Sequence, residues 1–182
     1  MVPEATIDHT DTGHVPTTDG WFVLNARDAQ WYHGEGRPAV CNLEGTTDFP
    51  QVGVNLNVVW PGQAMAMYHW EADQEDFLVV SGEALLIVEG EERPLRAWDF
   101  VHFPPKTRHV VVGAGDGPCV LVAVGARIDS VDNPNWGGYP VDEVAQRHGA
   151  GVEQETTVPD EAYAHLRKRQ PGRYQEGWLP QI

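Results

Sequence analysis

The sequence has two cysteines in 182 residues, and it has no apolar run that approaches the roughly 18 residues of a membrane-spanning helix. Cys41 and Cys119 form no CxxC pair and no Cys/His cluster of the zinc-finger type, so we expect two buried thiols. The acidic, Thr-rich beginning lacks the charged and then apolar layout of a signal peptide. We therefore expect a cytoplasmic protein without a membrane segment.

Positive charge is also scarce. The chain has 12 basic against 27 acidic residues, which gives a formal net charge of −15. A field of this sign opposes binding to nucleic acid and to an anionic membrane surface, and no basic recognition face is visible in the sequence. A small-molecule ligand or substrate is therefore the expected partner.

The length and the 41% hydrophobic content predict one domain with a real core. Residues 1–20 lack apolar periodicity, which predicts a flexible N-terminal tail or a strap across a partner subunit. Residues 21–130 consist of short β-rich runs separated by turn residues, as in an antiparallel sandwich or barrel. Residues 131–182 are predicted to form a C-terminal loop and short helices that pack on the barrel.

The chain is therefore predicted to be all-β with a short C-terminal helical segment. A helix is expected within Val141–His148, and a second one, capped by Thr157, is expected to continue to about Arg169. The predicted strands are Val54–Trp60, Ala64–Glu71, Phe77–Val80, Ala84–Glu89, Phe100–Phe103, His109–Val112 and Cys119–Val124.

Metal-ligating residue types are concentrated in two stretches. Alternate residues of a strand share a face, so His69 and Glu71 are expected to point the same way. Glu75 follows a short turn that can return its carboxylate to that face, and His109 comes just after a Pro-rich turn. Two imidazoles with one or two carboxylates suit a divalent ion such as Zn, Fe, Mn, Ni or Co.

The spacing of these residues resembles the cupin superfamily. The first cupin motif is matched by His69-x-Glu71-x3-Glu75-x6-Gly82. The second is matched by the series Trp98, Pro104-x-Lys106, His109 and Gly113. The resemblance implies a single jelly-roll β-barrel of the conserved cupin-2 type, with a divalent metal held by His69, Glu75, His109 and Glu71.

The departures from the family pattern leave three alternatives open. Glu71 stands where the family usually has its second histidine, and Trp98 and Gly113 replace a glycine and an asparagine. If Glu71 coordinates, the site has two histidines and two carboxylates. If Glu71 does not coordinate, His69, Glu75 and His109 resemble the facial triad of oxygen-activating iron sites. In the third alternative, the pocket has lost its metal and keeps only its shape.

The polar and aromatic residues near the predicted ligands are candidates for either a catalytic or a structural role. Glu71, if it is not a ligand, is the best candidate catalytic base, and His102 and Tyr68 are weaker ones. His102 is expected to be a barrel histidine whose ring is hydrogen-bonded to the backbone. Tyr68 and Trp70 lie on the face opposite His69 and are expected to pack in the core.

The resemblance leaves two classes of function. One is a metal-dependent enzyme, such as an oxidoreductase of the dioxygenase type, an isomerase or a lyase, that acts on a small oxygenated molecule. The other is a non-enzymatic cupin that binds a small ligand or metal for sensing or storage. The absence of a recognisable DNA-reading segment favours the enzyme. The resemblance also implies a homodimer, with Trp21–Leu24 at the interface.

Overall fold

The computed structural model describes residues 1–129 and 133–181. Two sheets face each other in it. The larger has seven strands in the order β10-β7-β12-β5-β4-β3-β14, and the smaller has the order β11-β8-β9. The strands of the larger sheet are β3 (Gln30–Gly34), β4 (Arg37–Asn42), β5 (Val52–Val59), β7 (Glu75–Ser81), β10 (Phe100–Phe103), β12 (Cys119–Ala126) and β14 (Gln170–Arg173).

The smaller sheet consists of β8 (Glu83–Val88), β9 (Glu91–Arg96) and β11 (His109–Ala114). All pairings in both sheets are antiparallel, so the predicted all-β class is confirmed. Two further pairs complete the strands, β1 (Ile7–Thr10) with β2 (Gly13–Pro16) and β6 (Trp70–Glu71) with β13 (Gly137–Gly138).

The main core lies between the two sheets. Alternate residues of each strand point inward, so apolar side chains of β7 and β12 meet those of β8 and β11. Phe77, Val79 and Leu121 come from the larger sheet, and Leu86 and Val111 come from the smaller one. Burial of such side chains supplies most of the driving force for folding. The inner faces therefore form one continuous apolar layer that ends at the candidate site.

A second core covers the outer face of the larger sheet. Trp31 of β3 is fully buried there, and its ring lies 5.1 Å from the ring of Trp178. The Trp31 indole N–H donates to the carbonyl of Ala26 over 2.8 Å. The C-terminal segment thus closes the sheet by covering its outer face.

The two cysteines are buried and free, as expected. Cys41 of β4 belongs to the second core, and Cys119 of β12 belongs to the main core. Burial raises the pKa of Cys41 to about 12 and that of Cys119 to about 11. Both side chains therefore act as small apolar core residues rather than as reactive thiols.

The motif glycine Gly82 joins β7 to β8. Its φ of +79° lies in the left-handed region that favours glycine, and a Cβ there would lie 2.5 Å from the Pro118 carbonyl oxygen. No side chain fits in that position without a backbone shift. The seven-residue spacing from Glu75 to Gly82 therefore matches the full length of β7 before an obligatory tight turn.

Several local predictions were wrong. Most of the predicted strand Ala64–Glu71 is irregular, since only β6 is regular there and Ala64 and His69 form isolated bridges. The helix predicted within Val141–His148 is present as α1 (Glu143–Arg147), with the side chain of Asp142 as its cap. The second, α2 (Pro159–Ala162), is much shorter than predicted and has Val158, not Thr157, at its N-cap.

Residues 1–20, predicted to be a flexible tail or a strap across a partner subunit, carry a hairpin. Strands β1 and β2 pair from Ile7 with Pro16 to Thr10 with Gly13, and Val15 is buried. The hairpin is held to the domain because the His14 N–H donates to the Asp28 carbonyl over 2.7 Å. The expected boundary between barrel and C-terminal segment, at residues 130 and 131, lies outside the described residues, as does residue 182.

Neither helix in the described part of the chain is long and apolar enough to cross a membrane.

Candidate metal centre

Two imidazoles are brought together by the backbone. His69 precedes β6 and forms an antiparallel bridge with His109, the first residue of β11. The His69 N–H donates to the His109 carbonyl over 3.1 Å, and the His109 N–H donates to the His69 carbonyl over 2.8 Å. Directly paired residues project their side chains to the same face. The ring centroids are accordingly 4.9 Å apart.

The orientation of each ring is set by a backbone carbonyl. Nδ1 of His69 lies 2.8 Å from the Met67 oxygen, and Nδ1 of His109 lies 3.0 Å from the Thr107 oxygen. A carbonyl only accepts, so each Nδ1 must carry the hydrogen and donate it. In the neutral rings, the lone pair is then on Nε2, which is the usual arrangement of a metal-binding histidine.

Glu75 completes the group. It is the first residue of β7, and its Oε2 lies 3.3 Å from His109 Nε2 and 3.7 Å from His69 Nε2. One ligand atom from each of these residues lies within 4.8 Å of the others. Within residues 1–129 and 133–181, Glu75 Oε2 and His109 Nε2 are buried atoms without a hydrogen-bond partner.

This arrangement fits a divalent metal ion. The carboxylate oxygen and the two Nε2 atoms of neutral imidazoles all present lone pairs to one point, so without a cation or a proton between them they repel. Leaving a buried polar atom unpaired costs about 1–3 kcal/mol. Two imidazoles and one carboxylate form the mixed nitrogen and oxygen donor set that binds Zn, Fe, Mn or Ni. His69, Glu75 and His109 could therefore hold such an ion.

The pKa shifts of two of these residues favour the forms that bind metal. Burial and the neighbouring His109 lower the pKa of His69, against the opposing effect of Glu75. Burial of Glu75 works to raise its pKa, but its contact with His109 and its electrostatic interaction with the two imidazoles outweigh burial and lower it. His69 is thus held neutral and Glu75 ionised, which are the protonation states of metal ligands.

Glu71 lies beside the group rather than within it. Its Oε1 is 3.9 Å from His69 Nε2, but it is not among the residues whose ligand atoms converge. Its side chain is 24% exposed, against 13% for Glu75 and 1% for His109. Burial and the charge of Glu75 raise the pKa of Glu71 to about 8. The structure therefore brings three of the four predicted residues together and leaves Glu71 on the solvent side.

Aromatic side chains form the inner wall of the site. The ring of Phe103 stacks on His109 with a centroid distance of 3.8 Å and an interplanar angle of 11°. Phe77 contacts the same imidazole edge-on at 5.5 Å. These contacts fix the plane of His109 and exclude water from its inner face, which strengthens electrostatic interactions at Nε2.

The C-terminal segment supplies a wall that sequence analysis missed. The ring of Tyr139 lies 6.1 Å from that of His69, and the edge-on contact between Tyr139 and Tyr163 has a centroid distance of 5.7 Å. The Tyr163 hydroxyl accepts a hydrogen bond from the Met67 N–H over 3.1 Å. Neither tyrosine belongs to a recognisable motif. Both reach the site through tertiary packing of a segment with little regular structure, so the sequence alone did not reveal them.

The remaining predicted residues have mixed outcomes. Tyr68 is buried against Ile87 and Val110, as expected for a core residue. The prediction for His102 was wrong, because its Nδ1 lies 2.7 Å from a carboxylate oxygen of Asp76 instead of a backbone group. The strand β10 places His102 opposite Asp76, and the ring is largely exposed to solvent.

The architecture is that of a jelly-roll β-barrel with a His/Glu/His group at one end of its inner core. Residues 55–125 match the family profile Cupin_2, described as a cupin domain. The match begins within β5, ends within β12 and includes all the residues of the candidate centre. Residues 55–125 are therefore a cupin domain, as their motif spacing indicated.

Solved structures support the fold. The polyketide cyclase RemF from Streptomyces resistomycificus aligns with a TM-score of 0.52 and 13% identity, over 59% of this chain and 80% of that chain. An RmlC-like cupin from Shewanella frigidimarina NCIMB 400 aligns with a TM-score of 0.50 and 17% identity, over 58% of this chain and 89% of that chain. At these identities the likeness concerns the fold alone.

A third structure has higher identity but a lower TM-score. It is described as a putative sugar phosphate isomerase from Acidithiobacillus ferrooxidans ATCC 23270, with 27% identity and a TM-score of 0.48 over 52% of this chain. The chain spans 62% of the length of that protein. No curated protein matches the chain by sequence.

Proposed function

We propose that this cupin binds a divalent metal ion, Zn, Fe, Mn or Ni, through His69, Glu75 and His109. The observation that carries the proposal is the convergence of three lone-pair atoms, two of them buried and without a hydrogen-bond partner in the described residues. Such an arrangement is costly in the absence of a cation. The arrangement becomes favourable when a metal ion accepts all three lone pairs.

We further propose that the protein is a metal-dependent enzyme that acts on a small oxygenated molecule, of the dioxygenase, isomerase or lyase type. A bound divalent ion supplies a Lewis acid that polarises a substrate oxygen or acidifies a water. Phe103 and Phe77 shield the inner side of His109, so a substrate approaches from the side of Glu71. In this proposal Glu71 contacts the substrate and transfers a proton, and its raised pKa of about 8 supports that role.

The alternative is a cupin that holds a metal or a small ligand for sensing or storage, without catalysis. The low exposure of His69 and Glu75, 12% and 13%, fits a site that shelters an ion from solvent. The role of Glu71 separates the two functions. Proton transfer by Glu71 would favour the enzyme, whereas storage requires the three ligands alone.

A matched pair of substitutions tests the ligand set. Glu75→Gln and Glu71→Gln make the same chemical change at two neighbouring carboxylates. We expect Glu75→Gln to weaken metal binding by about tenfold or more, because it replaces a buried anionic ligand, and Glu71→Gln to change it by less than about threefold. Titration of metal-stripped protein with Zn²⁺ against a competing chelator measures both affinities. Equal losses in the two variants would place Glu71 among the ligands.

We also propose that the chain forms a homodimer through Trp21–Leu24. Trp21 and Val23, two residues apart, are exposed on the surface at 53% and 84%, whereas Phe22 stacks on Phe49 with a centroid distance of 6.2 Å. Burial of these two exposed apolar side chains against a second copy of the chain would favour association.

The dimer is tested by sedimentation velocity at micromolar concentration. We expect a dimer for the wild type and a monomer for the double variant Trp21→Glu/Val23→Glu, because the dimer would have to bury two carboxylates in an apolar contact. Trp98→Glu, at another exposed aromatic, serves as the control and should leave the dimer intact. A monomeric wild type would refute the proposal.

A further inference from the structure

The C-terminal segment carries a concentration of positive charge in a chain of formal charge −15. Arg167, Lys168 and Arg169 follow one another, just before β14. Arg167 is exposed and pairs with Glu35 over 2.9 Å, so its charge is already balanced. Lys168 and Arg169 instead line a cavity together with Arg37, which begins β4.

This cavity has a volume of about 370 Å³. Its charged lining consists of three cationic side chains, Arg37, Lys168 and Arg169, and one acidic side chain, Asp160. The volume lies within the range of about 300–1,000 Å³ that is typical of small-molecule sites. A cationic cavity of this size is unusual on a strongly acidic protein, and none of the candidate metal ligands lines it.

The two guanidinium groups are positioned but not neutralised. The Arg37 guanidinium lies over the Tyr163 ring, 5.1 Å from its centroid, and Arg169 Nε donates to the Pro38 carbonyl over 2.9 Å. Across residues 1–129 and 133–181, no carboxylate oxygen lies within 4.0 Å of either guanidinium, whereas Arg127 has a two-pronged pairing with Glu44. The guanidinium groups of Arg37 and Arg169 are therefore available to bind an external anion.

The electrostatics of Arg169 agree with this arrangement. Burial, followed by the charge of Arg37, lowers the pKa of Arg169 to about 10. Two like charges in a partly buried cavity repel each other, and an anion between them removes that repulsion. The planar guanidinium fork also donates two parallel hydrogen bonds to a phosphate or carboxylate group.

We propose that the cavity lined by Arg37, Lys168 and Arg169 binds the oxyanion group, a phosphate or a carboxylate, of a small molecule. The guanidinium groups of Arg37 and Arg169 donate hydrogen bonds to the oxyanion, and Lys168 adds a third positive charge at the exposed edge. Tyr163 and Leu166 provide the less polar surface for the body of the molecule. The proposal stands apart from the metal centre, since it depends on no metal ligand.

Isothermal titration of the full chain with inorganic phosphate, glycerol phosphate and succinate tests the proposal. We expect saturable binding of at least one of these probes, weakened about tenfold or more by Arg37→Gln and by Arg169→Gln. Arg167→Gln removes the same charge from the adjacent exposed residue and should change the affinity by less than about twofold. Preference for the two phosphates over succinate identifies a phosphate site, and the reverse order identifies a carboxylate site.

Further controls separate binding from folding. Thermal unfolding and metal content are measured for each variant, and if Arg169→Gln does not fold, Arg37→Gln decides, because its guanidinium lies over a ring instead of bonding to Pro38. Binding that persists in Glu75→Gln shows independence from the metal centre. The proposal is overturned if no probe binds saturably, or if Arg167→Gln weakens binding as much as Arg37→Gln does.

Discussion

His109→Ala is expected to lower the metal affinity of the protein at least about 100-fold. This loss is larger than the one that usually follows mutation of a group that only supports a ligand. The imidazole is 1% exposed, its Nε2 is one of the two buried atoms without a hydrogen-bond partner in the described residues, and its plane is fixed by Phe103. The substitution removes one of the three converging ligand atoms. The affinity is measured by chelator competition on metal-stripped protein.

His102→Ala is the matched control for that experiment. His102 lies in β10, the strand that precedes β11, but its ring is 49% exposed and contacts Asp76 instead of the candidate ligands. We expect its metal affinity to stay within about twofold of the wild type, since exposed ion pairs contribute little. If His102→Ala and His109→Ala had equal affinities, the assignment of His109 as a ligand would be wrong.

Trp31→Ala is expected to cost about 3–5 kcal/mol of unfolding free energy, the range for truncation of a large buried aromatic. Trp31 is fully buried, its ring contacts Trp178 and Tyr174, and its indole N–H is satisfied by the Ala26 carbonyl. The substitution leaves a cavity between the larger sheet and the C-terminal segment. Chemical denaturation followed by fluorescence or circular dichroism measures the loss.

Trp98→Ala makes the same truncation at a surface position. Trp98 is 74% exposed, so its removal should change stability by less than about 0.5 kcal/mol. A loss below about 1 kcal/mol for Trp31→Ala would show that the C-terminal segment does not depend on Trp31 for its packing. It would also contradict a second core on the outer face of the sheet.

The central strands could be predicted because their sequences alternate or are continuously apolar between turn residues. Strands β8 and β12 are examples, since buried β-branched and Leu residues dominate both. Strand β9, Glu91–Arg96, was missed because it is a polar edge strand that contains Pro94. Strand β14, Gln170–Arg173, contains Pro171 and Gly172 and is also at an edge, where a missing N–H is tolerated.

The candidate site could be predicted in part. The spacing of His69, Glu75 and His109 follows from a strand, a tight turn and a second strand, so these three residues converge as the motif implied. The position of Glu71 outside the group could not be deduced, because the alternation argument assumed a continuous strand that the structure replaces with an irregular segment and the short β6. Tyr139 could not be found either, since tertiary packing alone brings it near His69.

The most direct test of the account is metal analysis of wild-type protein purified without an affinity tag, before and after incubation with Zn, Mn, Fe and Ni salts. Three converging lone-pair atoms predict close to one equivalent of metal per chain, retained through gel filtration. An iron-loaded protein would direct the search for substrates toward oxygen chemistry. A protein that retains none of the four metals would contradict the metal centre and leave a cupin barrel that binds its ligand without an ion.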